Sequence, residues 1–220
     1  MTVLDTDLAR YNMIEQQIRP WEVLDPAVLE VIANTPRERF TPKKYTNIAF
    51  ADTEIPLEHD QTMLEPKIEA RILQALQIKP TDRILEIGTG SGYLTACLAQ
   101  LGGNVVSIDI YPEFTQQAQQ QTAGLGLENI QFKTADAAHG WTEDGEFDVI
   151  VISASLPATC TSFQKSLTIA GRQFVVMGHD LLMEAQLIRR ISPDEWSTES
   201  LFETHLPAML NAAKPPAFTF

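Results

Sequence analysis

The chain has 220 residues, of which 44% are hydrophobic and 20% are charged, as in an ordinary globular protein. Its formal net charge of −13 repels phosphate backbones, and its few basic clusters carry no interleaved aromatic residues, so we expect no nucleic-acid partner. We expect no membrane segment, signal peptide or metal site, because no long apolar run, leader pattern or Cys/His cluster occurs, and we predict a cytoplasmic protein.

The first third of the chain combines helical patterns with a long loop. Apolar residues recur at spacings of three and four before Pro20: Leu8, Tyr11, Ile14 and Ile18. This spacing predicts a first helix that ends at Pro20, and Asp25-Pro26 predicts a second helix capped by the aspartate. Several prolines indicate an ordered loop over residues 36–66, and a third helix is predicted for Glu65–Ile78. We therefore expect residues 1–78 to form a helical N-terminal extension.

From Thr81 onwards, short apolar strands alternate with helices. The predicted strands are Arg83–Ile87, Asn104–Ile108, Asn129–Lys133, Asp148–Ile152 and Arg172–Met177, and the predicted helices are Tyr93–Leu101, Pro112–Ala123 and Thr161–Ile169. This alternation is typical of an α/β fold with a parallel sheet and helices on both faces. Segments 185–191 and 197–205 flank a turn and predict an antiparallel hairpin at the sheet edge. The expectation is a Rossmann-like core over residues 79–220, within a single domain of residues 1–220.

A glycine-rich loop follows the first predicted strand, in the sequence EIGTGSGY at residues 86–93. Its spacing, Gly88-x-Gly90-x-Gly92, departs from the dinucleotide fingerprint GxGxxG, because Tyr93 occupies the third glycine position. No Gly-Lys-Ser/Thr follows, so a Walker loop is not indicated either. The glycines by themselves leave the identity of the ligand open.

Three acidic residues narrow the choice of ligand. Glu86, Asp109 and Asp136 each lie at or just after the end of a successive predicted strand. Parallel strands bring their carboxyl ends to one crevice, where Asp109 can accept hydrogen bonds from ribose hydroxyls and Asp136 from an adenine amino group. A carboxylate beside the glycine loop would repel a pyrophosphate but attract the cationic methionyl part of S-adenosylmethionine. We therefore predict S-adenosyl-L-methionine as the cofactor.

The same segments resemble the class I methyltransferases: LEIGTGSGYLTACLA at residues 85–99, SID at 107–109 and FDVIVISA at 147–154. The N-terminal region, including the Pro-Arg-Glu-x-Phe segment at residues 36–40, is similar to the opening of the protein-L-isoaspartate O-methyltransferase family. The resemblance implies a mostly parallel class I sheet and a set of residues that contact the cofactor. Those residues are Gln61, Leu64, Glu86, Gly88, Gly90, Ser91, Tyr93, Asp109, Ile110, Asp136 and Ala137.

The resemblance also places the segment Gln61–Leu64 over the transferable methyl group, with Thr62, Met63 and Leu64 as candidates for the acceptor site. The family carries a serine in a Thr-Ile-Ser-x-Pro segment, whereas this chain has Leu64 at that position. Leucine cannot donate a hydrogen bond to a substrate carboxylate.

Three hypotheses about activity remain open at this point. The first is methylation of the carboxylate of isoaspartyl residues in damaged proteins. The second keeps the cofactor but changes the acceptor, to a small molecule or another protein group. The third is a cofactor-binding protein without isoaspartate activity. Cys97 lies in an apolar helix and is expected in the core, whereas His59 is expected to be a solvated loop residue near the acceptor segment.

Overall fold

The computed structural model describes residues 5–179 and 182–213. Helix α1 (Thr6–Met13) begins at Asp5, whose side chain accepts a hydrogen bond from the Leu8 amide. It continues into a π turn at Ile14–Ile18 and a 3₁₀ turn at Arg19–Trp21. The helical run therefore passes through Pro20, which was expected to end it. A proline near the start of a short 3₁₀ turn lacks an N–H that would have had no partner in the turn.

Between the first helix and the sheet, the structure has both predicted helices, and short elements within the predicted loop. Helix α2 (Pro26–Asn34) is capped as predicted, because the Asp25 side chain accepts from the amides of Ala27 and Val28. The segment predicted as a loop contains a short helix, a 3₁₀ turn and a two-stranded hairpin: α3 (Arg37–Phe40), Lys43–Ile48, β1 (Ile55–Pro56) and β2 (Thr62–Met63). Helix α4 (Pro66–Leu76) follows directly.

The core of the fold is a seven-stranded sheet. Its strands are β3 (Arg83–Ile87), β4 (Asn104–Asp109), β5 (Ile130–Thr134), β6 (Phe147–Leu156), β7 (Leu167–His179), β8 (Leu182–Ser192) and β9 (Glu195–Glu203). They are arranged in the order β5-β4-β3-β6-β7-β8-β9. The strands β5, β4, β3, β6 and β7 are parallel, whereas β8 and β9 add an antiparallel hairpin at the edge. The predicted α/β class and its mixed sheet are confirmed.

Three helices connect the parallel strands: α5 (Tyr93–Leu101), α6 (Pro112–Ala123) and α7 (Thr161–Lys165). The first two have the predicted bounds, but the prediction that the third extends to Ile169 was wrong. Leu167 pairs with Phe147 of β6 and is fully buried, so the chain turns into β7 only two residues after α7. Pairing with a distant strand overrides the local helical pattern here.

Two apolar clusters lie against the sheet. The larger joins the extension to the sheet, because Ile32 and Ile72 belong to the same buried cluster as Val149. The other contains Leu85 and Phe163. Cys97 is fully buried, as expected. No helix within the described residues is long and apolar enough to cross a membrane.

Candidate active site

The carboxyl ends of β3, β4, β5 and β6 open into a cavity of about 900 Å³, including its mouth. Most of the residues predicted to bind the cofactor or acceptor line it: Gln61, Thr62, Met63, Leu64, Gly88, Gly90, Ser91, Asp109, Ile110, Asp136 and Ala137. The fold thus brings together residues from separate loops because parallel strands end at one edge of the sheet.

The glycine loop has backbone geometry that side chains disfavour. Gly88 and Gly90 have φ values of +96° and +50°. A Cβ atom at Gly88 would lie 2.3 Å from Oγ of Ser153, a residue that also lines the cavity. A glycine here therefore allows β3 and β6 to form the cavity floor without steric conflict.

Asp109 connects the glycine loop with the end of β4. Its Oδ2 accepts a hydrogen bond from the Gly90 amide at 2.9 Å, and its Oδ1 accepts from the Tyr111 amide at 3.0 Å. Burial raises the pKa of Asp109, and the backbone amides that donate to it oppose this rise. Each carboxylate oxygen accepts more than one hydrogen bond, so Asp109 retains the capacity to bind ribose hydroxyls.

Glu86 and Tyr93 are not among the residues that line the cavity. Glu86 is fully buried, and its Oε2 accepts hydrogen bonds from the hydroxyls of Thr95 at 2.5 Å and Ser107 at 2.6 Å. Its Oε1 has no hydrogen-bond partner in the described structure. Burial raises the pKa of Glu86 to about 8, an effect that the two hydroxyls oppose. Direct contact between Glu86 and the cofactor stays a prediction.

The C-terminal segment closes one side of the cavity. Ala208, Met209 and Leu210 line it, and the segment is anchored to Ser155 of β6 by two backbone hydrogen bonds. The Ser155 amide donates to the Pro207 carbonyl and the Met209 amide donates to the Ser155 carbonyl, each at 2.9 Å. Thus a segment far along the chain completes the wall of the site.

Asp136 is held in place by this C-terminal segment. Its Oδ2 accepts a hydrogen bond from Asn211 Nδ2 at 2.8 Å, and its Oδ1 accepts from the Ala138 amide at 2.9 Å. The carboxylate is exposed, and its remaining lone pairs leave it able to accept from an adenine amino group.

A buried arginine holds the acceptor segment Gln61–Leu64 in place. Arg37, on α3, donates from Nη2 to the Leu64 carbonyl at 2.6 Å and forms an ion pair with Glu69 of α4. Glu69 itself lines the cavity. Burial raises the pKa of Glu69 to about 7, and the neighbouring guanidinium of Arg37 opposes that rise. The Thr62 hydroxyl, on the same cavity wall, is buried and makes no hydrogen bond of normal geometry.

His59 lies beside the site, and its side chain is 34% exposed. Its ring stacks on that of Tyr111, with centroids 3.9 Å apart and planes inclined by 2°. The expectation of a loop histidine near the acceptor segment is thus met, but the ring packs on an aromatic residue of the cavity wall instead of being fully solvated. Among the described residues, no group of three or more His, Cys, Asp or Glu is placed to hold a metal ion.

Several residues of the cavity wall were not predicted from the sequence, including Glu69, Tyr111, Ser153 and the segment at 208–210. Glu69 had a visible signal, because it lies on the helix face of Leu73 and Leu76, where a carboxylate is out of place. The C-terminal segment had none, because its sequence resembles any short loop.

Comparisons with known proteins identify the family of this chain. A family model described as Protein-L-isoaspartate(D-aspartate) O-methyltransferase matches residues 9–207. Protein-L-isoaspartate O-methyltransferase 1 of Rhodopseudomonas palustris (strain HaA2) is 35% identical over 203 residues, covering 91% of this chain and 82% of that protein. Protein-L-isoaspartate O-methyltransferase 2 of Marinobacter nauticus is 34% identical over 202 residues, covering 91% and 92% of the two chains.

A solved structure shows the same fold. It is a Plasmodium falciparum protein described as a protein-L-isoaspartate O-methyltransferase in complex with S-adenosyl-L-homocysteine, with a TM-score of 0.78, 18% identity and coverage of 93% and 97%. The family model and the relatives, which are about a third identical, cover most of this chain. The chain therefore belongs to the protein-L-isoaspartate(D-aspartate) O-methyltransferase family and is an S-adenosylmethionine-dependent methyltransferase.

Proposed function

We propose that this chain methylates the free carboxylate of isoaspartyl residues in damaged proteins, as a repair enzyme of the cytoplasm. The observation that carries the proposal is the meeting, in one cavity, of the Asp109–Gly90 cofactor loop and the acceptor segment Gln61–Leu64. The names of its relatives support an isoaspartyl acceptor, and none of the relatives compared above points to a small molecule.

We also propose how the chain holds the cofactor. The glycine loop and Asp109 bind the ribose side, Asp136 accepts from the adenine amino group, and the segment Gln61–Leu64 covers the reacting end. Support comes from the position of these residues on the cavity wall and from the unused acceptor capacity of both aspartates.

Positioning and the exclusion of water account for the catalysis. S-adenosylmethionine supplies an electrophilic methyl group on a sulfonium. A carboxylate acceptor is already ionised at neutral pH, so the chain needs no general base. Transfer neutralises both charges, and a cavity that excludes water favours a reaction in which charge disappears. The apolar walls at Leu64, Leu94 and Met209 provide such an environment.

Leu64 sets the main difference from the family pattern. Its side chain is 6% exposed and lines the cavity, but it offers no hydrogen-bond donor. We therefore infer weaker binding of the acceptor than a serine at position 64 would give, but not a loss of transfer.

The test uses purified protein and labelled S-adenosylmethionine with an isoaspartyl peptide, and the matching aspartyl peptide as the control. Base-labile methyl ester on the isoaspartyl peptide alone supports the proposal. Leu64→Ser should raise kcat/KM by about 10- to 100-fold, since a hydrogen bond to a charged group contributes about 1.5–3 kcal/mol. Cofactor binding without ester formation in both the wild type and Leu64→Ser would refute the isoaspartyl acceptor.

A further inference from the structure

Arg37 is a buried arginine whose hydrogen bonds join three separate segments. It is 0% exposed, and its Nε donates to the Ala49 carbonyl at 2.9 Å. Its Nη1 pairs with Glu69 of α4, and its Nη2 donates to the Leu64 carbonyl at 2.6 Å. The planar guanidinium is suited to this task because its donors point in fixed directions.

An aromatic ring fixes the orientation of this guanidinium. The Arg37 Cζ lies 4.8 Å from the centroid of Tyr93, the first residue of α5. Arg37 thus connects the acceptor segment with the helix that follows the glycine loop. A shift of its guanidinium would displace the Leu64 carbonyl, and Leu64 lies on the cavity wall.

Stability alone is a weak reason for a buried ion pair. Removing two charges from water is costly, and replacing such a pair by apolar side chains is often neutral or stabilising. Here the carboxylate of the pair also belongs to the wall of a site that must admit an anionic acceptor. An unpaired Glu69 would repel that acceptor, so the positive charge of Arg37 keeps the wall close to neutral.

We propose that Arg37, together with Glu69, is a positioning residue that fixes the acceptor segment at Leu64 over the cofactor cavity and neutralises the wall facing the acceptor carboxylate. The role of the anionic acceptor rests on the proposed function above. The other half of the proposal, that Arg37 orders residues 61–64, does not depend on which acceptor is used.

The central variant is Arg37→Lys, which keeps the charge near Glu69 but cannot make all three hydrogen bonds at once. We expect at least a 10-fold rise in KM for the isoaspartyl peptide, with a much smaller change in the Kd of S-adenosylhomocysteine. We also expect faster amide hydrogen exchange in a peptide covering residues 57–65. The matched control is Arg172→Lys, because Arg172 is also a buried arginine, paired with Asp82 at 2.6 Å near the amino end of the sheet.

A double variant separates positioning from stability. Arg37→Met with Glu69→Leu removes both charges and is expected to recover thermal stability relative to Arg37→Met alone, while exchange over residues 57–65 stays fast. The proposal is overturned if Arg37→Lys and Arg172→Lys have the same effects on KM and on exchange in this segment, or if the double variant restores slow exchange. If the wild type forms no ester, the proposed function fails, whereas the exchange comparison still decides the positioning role.

Discussion

Glu86 provides a sharp test of the electrostatics beneath the cofactor site. It is fully buried, one carboxyl oxygen has no partner, and its pKa is raised from 4.5 to about 8 by burial. Glu86→Gln keeps the size of the side chain, and its amide oxygen can still accept from the hydroxyls of Thr95 and Ser107. The variant is neutral at every pH, so it removes the titration without removing these two hydrogen bonds.

The direction in which stability changes with pH follows from proton linkage. A carboxyl with a higher pKa in the folded protein keeps its proton there, while the unfolded chain releases it above pH 4.5. Its contribution to stability is therefore fully present below pH 4.5 and is lost as the pH rises towards about 8. Each pH unit inside this window costs about a tenfold change in the folding equilibrium constant, so from pH 5 to pH 7 the loss is on the order of 3 kcal/mol.

Urea unfolding at intervals between pH 5 and pH 8 measures this effect. Wild type and Glu86→Gln should have similar free energies of unfolding near pH 5, and the variant should become the more stable protein as the pH rises. The exposed Glu143→Gln is the control and should follow the wild-type curve. Parallel curves for wild type and Glu86→Gln across the whole range would refute the assignment of a buried, protonated Glu86.

Two further predictions concern the cavity floor and the thiols. Gly88→Ala should lower the affinity for S-adenosylhomocysteine at least 10-fold and destabilise the fold by about 1–3 kcal/mol, because the new Cβ would lie 2.3 Å from Ser153 Oγ and the residue has a φ of +96°. Calorimetric titration measures the affinity and urea unfolding measures the stability. An unchanged affinity would contradict the assigned loop geometry. At pH 8, a thiol reagent should modify one cysteine per chain in the native protein and two in urea. The reason is that burial raises the pKa of Cys97 to about 12, whereas Cys160 is partly exposed. Rapid modification of Cys97 in the native protein would contradict its burial.

Local patterns in the sequence were enough to predict the sheet and to bring most of the candidate site residues to one of its edges. The strand Arg83–Ile87 and the helices Tyr93–Leu101 and Pro112–Ala123 have the predicted bounds. Asp109 and Asp136 were recognisable because each follows a strand, and the ends of parallel strands must meet. Such features depend on neighbouring residues and on a general rule of topology.

Contacts between distant residues needed the tertiary structure. The pairing of Leu167 with Phe147 shortened α7, which its own sequence predicted to be longer. The Asn211–Asp136 bond spans 75 positions, and the Arg37–Glu69 pair spans 32. A sequence can show that a charged residue interrupts an apolar helix face. Which residue pairs with that buried charge depends on how distant segments pack against each other.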